Sequence, residues 1–270
     1  MKISVFYEHI IEAAKQENMP VEKICTQVSS LGITGVEIEN TRLMEDRESV
    51  LKILKGASLS ISCMYGFFDF AHSKDYKSGI EMIDLADELK IKKVMLIPGF
   101  LKKYEFLPFF YKRRVNKMVS SLRNICSYAK DKNIMVGLED FDGKEAPFAT
   151  SRQLLYFLDN IPDLYCVFDT GNFLYSEEES LEVLPLFLKR IGHVHCKDRT
   201  FKVKDGEIPK PTIKGRNMYS CAVGSGCIPM KELMNQIFES GYDDYFAIEH
   251  FGSLNQLKDI KSSVRWMEEL

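Results

Sequence analysis

No apolar stretch in this chain of 270 residues is long enough to span a bilayer, so no membrane helix and no membrane partner are expected. The N-terminus enters a strand-like pattern at once, Ile3-Ser-Val-Phe-Tyr7, without the charged and apolar regions of a signal peptide. Excess basic charge is also missing. The 36 Lys and Arg residues face 39 Asp and Glu, the net charge is −3, and the pI is about 6.0. A nucleic-acid partner usually requires a basic face and is therefore not expected. The seven cysteines form no CxxC pair, and Cys63, Cys126 and Cys166 lie inside apolar patterns. An odd, scattered set fits reduced, buried thiols in a cytoplasmic protein rather than a disulfide framework. No Pro/Gly/Ser-rich linker or low-complexity segment divides the chain, so one domain over residues 1–270 is expected.

What the chain does contain is an alternation of strand-like runs with amphipathic stretches. The strand candidates are 3–7, 35–38, 59–64, 93–97, 134–138, 165–168, 191–195 and 245–248. That number suits an α/β fold closed as an eight-stranded (β/α)8 TIM barrel, which typically needs about 250 residues. Val115, Met118, Val119, Leu122, Ile125, Cys126 and Ala129 form one helical stripe; Met230, Leu233, Met234, Ile237 and Phe238 form another. Pro20 is expected to open the first helix and Gly32 to close it. Thr150 is placed to cap the helix before the sixth strand, and Gly241 ends the helix before the eighth.

Four of the runs end in a residue type that binds metal. Ile134–Leu138 leads to Glu139, Tyr165–Phe168 to Asp169, Ile191–Val194 to His195, and Tyr245–Ile248 to Glu249. Consecutive parallel strands would deliver these side chains to one rim of a barrel, the rim where active sites sit. An oxygen-rich set with one imidazole suits Mn²⁺ first, with Mg²⁺, Co²⁺ or Zn²⁺ as alternatives. Side chains alternate along a strand. His193, His195 and Lys197 therefore share a face, and Glu37 and Glu39 point inward on the second strand. Lys197, Asn172 and Glu37 are candidates for substrate binding, and Tyr65, Phe67, Phe68 and Phe70 for an apolar pocket wall. Gly224 and Gly226 suit a tight backbone turn better than a phosphate cradle. The stretch from Cys196 to Cys227 is long, irregular and rich in Lys and Arg, and its residues Lys197 to Gly226 are expected to fold over the rim as a partial lid.

Val-Gly-Leu-Glu139, Phe-Asp169-Thr-Gly-Asn172, His193-Val-His195-Cys-Lys197-Asp198, Val223-Gly-Ser-Gly226 and Ala-Ile-Glu249 together resemble the sugar phosphate isomerase/epimerase family. That family has the xylose-isomerase-like barrel and includes the tagatose and psicose 3-epimerases. The resemblance runs from about residue 130 to 255. It implies that Glu139, Asp169, His195 and Glu249 ligate the metal, that Glu139 and Glu249 double as acid/base groups, and that a homodimer could form through rim loops. Two positions depart from it. The family's epimerases carry His where this chain has Asn172, and often Glu where it has Ser225.

A divalent ion chelating a ketose carbonyl and its neighbouring hydroxyl acidifies the carbon-bound proton between them. A carboxylate can remove that proton, and a second can return it on the other face or to the adjacent carbon. The expected function is thus a metal-dependent sugar, or sugar phosphate, isomerase or epimerase. The alternative is a dehydratase or lyase on a keto-sugar or keto-cyclitol, which needs the same ion and base. The related apurinic endonucleases are disfavoured. They require further histidines at strand ends, where this chain has Cys63-Met-Tyr65 and Ile97-Pro-Gly99.

Overall fold

The computed structural model describes residues 1–270. Strands β1 (Lys2–Phe6), β2 (Gly35–Glu39), β3 (Ser60–Phe67), β4 (Lys93–Ile97), β5 (Met135–Glu139), β6 (Leu164–Asp169) and β7 (Ile191–Cys196) follow one another around a barrel. Strands β8 (Asp198–Thr200), β9 (Lys210–Pro211) and β10 (Asn217–Cys221) form a separate small sheet, and β11 (Tyr245–Ile248) completes the barrel between β7 and β1. Every barrel pairing is parallel. All eight expected strands are present, within a few residues of their expected bounds. No helix is long and apolar enough to cross a membrane.

The alternation along each strand explains the layering. Val36 and Ile38, Val136 and Leu138, Cys166 and Phe168, and Phe246 and Ile248 are buried, apolar and one step out of phase with the carboxylates on or just after the same strands. The stripe from Val115 to Ala129 is buried along the helix 108–131, and Met230, Leu233, Met234 and Ile237 along the helix 230–239. Inside the barrel, space is tight. A Cβ at Gly137 would meet Val167 Cγ2 at 2.5 Å, so β5 approaches β6 only because this residue has no side chain.

Helix boundaries follow local chemistry. Thr150 Oγ1 accepts the Gln153 N–H at 3.2 Å and Gln153 Oε1 accepts the Thr150 N–H at 3.1 Å, a reciprocal capping box. Gly241 adopts φ +92° past the end of the helix 230–239, a left-handed conformation that favours glycine. The expectation for Pro20 is corrected. It precedes the second helix, 21–30; the first, 7–16, begins directly at the end of β1. Tyr7 and Ile10 supply that turn's buried face. The stretch after β7 is not an irregular loop. It contains the antiparallel sheet ordered β8-β10-β9, of which β8 and β9, with three and two residues, fall below the length at which alternation can be read from sequence. Of the seven cysteines, all free, only Cys227 is exposed.

Candidate active site

Glu139 and Asp169 end β5 and β6, His195 is the last residue but one of β7, Glu249 immediately follows β11, and the barrel brings their side chains together. One potential ligand atom from each lies within 4.8 Å of all the others, and all four residues are buried. His195 Nδ1 is 3.0 Å from Glu139 Oε2, 3.2 Å from Glu249 Oε2 and 3.9 Å from Asp169 Oδ2. Asp169 is divided in function. Its Oδ1 accepts the N–H groups of Gly171 and Asn172 at 2.7 and 2.8 Å, which fixes the carboxylate plane. Its Oδ2 makes no hydrogen bond and faces the other acids. Three carboxylates and one imidazole converging in a buried space is a donor set that fits a divalent cation. Without a cation, like charges and burial oppose ionisation, and burial raises the carboxyl groups of both Glu139 and Asp169.

Lys197 reaches into the same cluster. Its Nζ lies 3.0 Å from Asp169 Oδ2, contacts Glu249 Oε1, and donates to Asn172 Oδ1 at 2.7 Å. Asn172 in turn donates from Nδ2 to the Asp140 carbonyl at 2.8 Å. The Asn172 amide therefore orients the lysine and braces β5 against β6. Both residues line the cavity above the acids.

Glu37, expected as a substrate residue, is placed differently. It has no exposed surface and does not line the cavity. Its carboxylate sits behind the imidazoles, with Oε2 2.9 Å from His193 Nε2 and 3.1 Å from His195 Nε2. Burial alone would raise this carboxyl group, but His195 and His193 outweigh it and hold it down at about 2. The inward parity is correct. The depth is one layer too low for substrate, because the barrel stacks side chains in successive layers below the rim.

The cavity has a volume of about 600 Å³. One wall carries Glu139, Glu249, Asn172 and Lys197; the other carries Glu8, Glu39, Tyr65 and Phe67, from the ends of β1, β2 and β3. Phe6 stands between them, its ring 5.1 Å from that of His195 and 5.5 Å from that of Tyr65. Phe68 and Phe70 stack on each other at 4.9 Å and leave the pocket wall to Tyr65 and Phe67. Ile208, Lys210, Met218 and Ser220, from the segment after β7, cover the opening, so that segment does overhang the rim. Gly226 packs where a Cβ would lie 2.2 Å from Asp198 Oδ1, which accounts for the glycine by close approach.

Glu8, Asp142 and Arg199 were not singled out from sequence. Arg199 Nη2 donates to Asp142 Oδ2 at 3.0 Å, and Lys210 also contacts Asp142. Glu8 lies in the first turn of the helix that follows β1.

The model of the xylose isomerase-like TIM barrel family matches residues 25–270. Inosose dehydratase of Clostridium tetani (strain Massachusetts / E88) is 24% identical over 243 residues, spanning 84% of this chain and 81% of that one. Among solved structures, the probable 3-DHS dehydratase AsbF of Bacillus anthracis aligns with a TM-score of 0.74 at 18% identity, over 99% of each chain. The IOLI protein with a binding zinc atom aligns at 0.76 and 14% identity, over 100% of this chain and 97% of that one. D-psicose 3-epimerase of Clostridium cellulolyticum H10, solved with D-tagatose, aligns at 0.73 and 13%, over 100% and 99%. At these identities the structural likeness is one of fold.

The expected isomerase activity is corrected by these findings. The relative matched over more than four-fifths of both chains is a dehydratase, a lyase by reaction, and a structural neighbour of full length is named a dehydratase as well. Asn172 stands where the resemblance leads one to expect a histidine. Its amide oxygen accepts a hydrogen bond from Lys197. The match over residues 25–270, together with the closed parallel barrel, establishes that the chain belongs to the xylose isomerase-like TIM barrel family.

Proposed function

We propose that this protein is a metal-dependent dehydratase that removes water from a polyhydroxylated keto-cyclitol or keto-sugar. The observation that carries this reading is the position of Lys197. Its ammonium group projects among the carboxylates, 3.0 Å from Asp169 Oδ2 and anchored by Asn172 Oδ1 at 2.7 Å. Epimerisation requires two proton-exchanging groups on opposite faces. Elimination requires a base for the carbon-bound proton and a separate donor for the departing hydroxyl, and Lys197 supplies that additional donor. The names of the relatives support the same reading.

Glu139, Asp169, His195 and Glu249 are the residues that would hold a divalent ion, with Mn²⁺ the first choice for so oxygen-rich a set. When bound, such an ion polarises a substrate carbonyl as a Lewis acid. Glu139 and Glu249, whose carboxylates lie 3.0 and 3.2 Å from His195 Nδ1, are the groups that take the proton from the carbon beside that carbonyl in this reading. Lys197 Nζ gives a proton to the hydroxyl on the next carbon, which leaves as water. The C–H and C–O bonds break and a C=C bond forms, with no oxidant or reductant required. Asn172 keeps the ammonium aimed, and the covering segment with Ile208 and Met218 limits solvent entry.

Incubating the Mn²⁺-loaded protein with an inosose in deuterated water and following the products by NMR tests the reading. Loss of one water with formation of an unsaturated or diketo product is expected. An epimer, an aldose–ketose isomer or solvent exchange alone would overturn it.

A further inference from the structure

Five aromatic rings line the cavity in an unbroken arc. Between ring centroids, Phe251 leads to Phe6 at 5.4 Å, Phe6 to Tyr65 at 5.5 Å, Tyr65 to Phe67 at 6.1 Å and Phe67 to Phe141 at 6.2 Å. All five residues face the cavity. These separations, with tilted and edge-on angles, are those of packed aromatic pairs, so each ring holds the next. The arc passes the reaction centre at Phe6, whose ring lies 5.1 Å from that of His195. Away from that point it opens to solvent, with Phe67 49% and Phe251 37% exposed. The segment after β7 adds Ile208, Pro209, Pro211 and Met218 to the lining, and Ile208 is 91% exposed. Apolar side chains that served only to exclude water from the acids would themselves be covered. Contiguous apolar surface left open beside a polar site marks a ligand groove.

The cavity is also larger than one polyol ring requires. Its volume of about 600 Å³ lies in the range of about 300–1,000 Å³ that holds molecules of drug size. Glu139 and Glu249 gather at His195, and Lys197 at Glu249, so a cyclic ketone bound there leaves the outer space to the arc and the covering segment. The charged groups of that outer part are committed to one another. Arg199 donates to Asp142 at 3.0 Å, and Lys210 contacts the same carboxylate. Lys210 Nζ also stands 5.9 Å from the centre of the Phe141 ring. A second hydroxylated ring would give up its water there for apolar walls. A planar apolar group would instead bury its faces and release water from both surfaces.

We propose that the open part of the arc is a subsite for an aryl group carried by the substrate, so that the preferred substrate is an aryl-substituted keto-sugar or keto-cyclitol rather than a bare polyol ring. The inference deepens the dehydratase reading and rests on it for the placement of the carbonyl. The polyhydroxylated ring lies beside Phe6, close to His195, and its substituent extends toward Phe67, beneath the segment that carries Ile208. Phe67 and Ile208 are then specificity-determining residues, which touch the substituent and not the reacting atoms.

Calorimetric titration of the Mn²⁺-loaded protein with methyl and phenyl β-D-glucopyranoside reads the subsite without turnover, since neither carries a ketone. The phenyl glycoside is expected to bind about 10- to 100-fold more tightly than the methyl glycoside, the worth of burying one phenyl-sized side chain. That ratio should collapse toward one in Phe67→Ala. It should also shrink in Ile208→Ser, a change at an exposed position that the fold tolerates. Equal binding of the two glycosides to wild type, binding of neither, or a ratio unmoved by Phe67→Ala would each overturn the subsite. Should Phe67→Ala fail to fold, a ratio unmoved by Ile208→Ser overturns it. Sedimentation of the same samples addresses the other occupant. A wild-type dimer that Ile208→Ser dissociates, with the ratio intact, would assign the open apolar surface to a second copy and overturn the subsite. Dehydration of an inosose separates the two readings. If inosose is not dehydrated but the phenyl preference requires Phe67, the dehydratase reading fails and the subsite stands. If inosose is dehydrated and the two glycosides bind alike, the reverse holds.

Discussion

Glu37 and His195 form a buried pair in which the carboxylate takes the Nε2 side of the imidazole, 3.1 Å away, and leaves Nδ1 facing Glu139 and Glu249. A histidine presents one nitrogen to a metal only if the other is committed elsewhere, and a carboxylate partner both orients the ring and strengthens the free nitrogen as a donor. Glu37 also holds His193, so one side chain steadies two imidazoles below the rim. Replacing Glu37 by Gln is expected to lower Mn²⁺ affinity about 10- to 100-fold, measured by calorimetry. Unchanged affinity would mean that packing alone orients His195.

Glu139→Gln and Glu249→Gln should each reduce kcat far more than they weaken binding of myo-inositol. Proton transfer by a positioned group typically contributes about 10²–10⁴-fold. A variant at either position that retains bound metal and a near-normal rate would remove that residue from the acid/base role.

Lys197→Met keeps the aliphatic stem and deletes the donor. Inosose turnover is expected to fall by about 10²-fold or more. Metal content should be unchanged or higher, because the ammonium no longer competes for Asp169 and Glu249. Normal turnover would place the leaving-group proton elsewhere.

Chelation should destabilise the protein. Three buried carboxylates and a histidine converge within 4.8 Å, and a cation that binds only the folded state adds about 2.7 kcal/mol at a hundred times its Kd. The melting temperature is expected to drop on EDTA treatment and recover with Mn²⁺. A melting temperature indifferent to both would argue against a bound ion.

Ionised Glu8 should cost the fold stability. Its carboxyl group titrates at about 6 in the fold against an ordinary value of 4.5, so the folded state holds the proton more tightly. Ionisation therefore destabilises the fold. The penalty is fully present above about pH 6 and vanishes as pH falls through 4.5. At pH 7.5, Glu8→Gln is expected to be more stable than wild type by up to about 2 kcal/mol. The gain should shrink on acidification, followed by denaturant melts across pH 4–8. A variant less stable than wild type at pH 7.5 would mean that Glu8 is satisfied by partners in the free protein.

Much of this architecture was legible locally. Period-two alternation and strand-end residue types located all eight barrel strands and identified Glu139, Asp169, His195 and Glu249 as a group, because side-chain direction along a strand depends only on neighbouring residues. Depth along the barrel axis does not. It depends on the stagger between strands, and the register shifts at Val36/Glu37 and at Cys166/Val167 are set by partners distant in sequence. Glu37 therefore read as a rim residue and lies one layer beneath it. Glu8, in the first turn of the helix after β1, comes to line the pocket only through the closed ring of strands. Sequence by itself determined which side chains point into the barrel. Only the closure of β11 between β7 and β1 decided which of them meet, since convergence is a property of the ring of strands and not of any one of them.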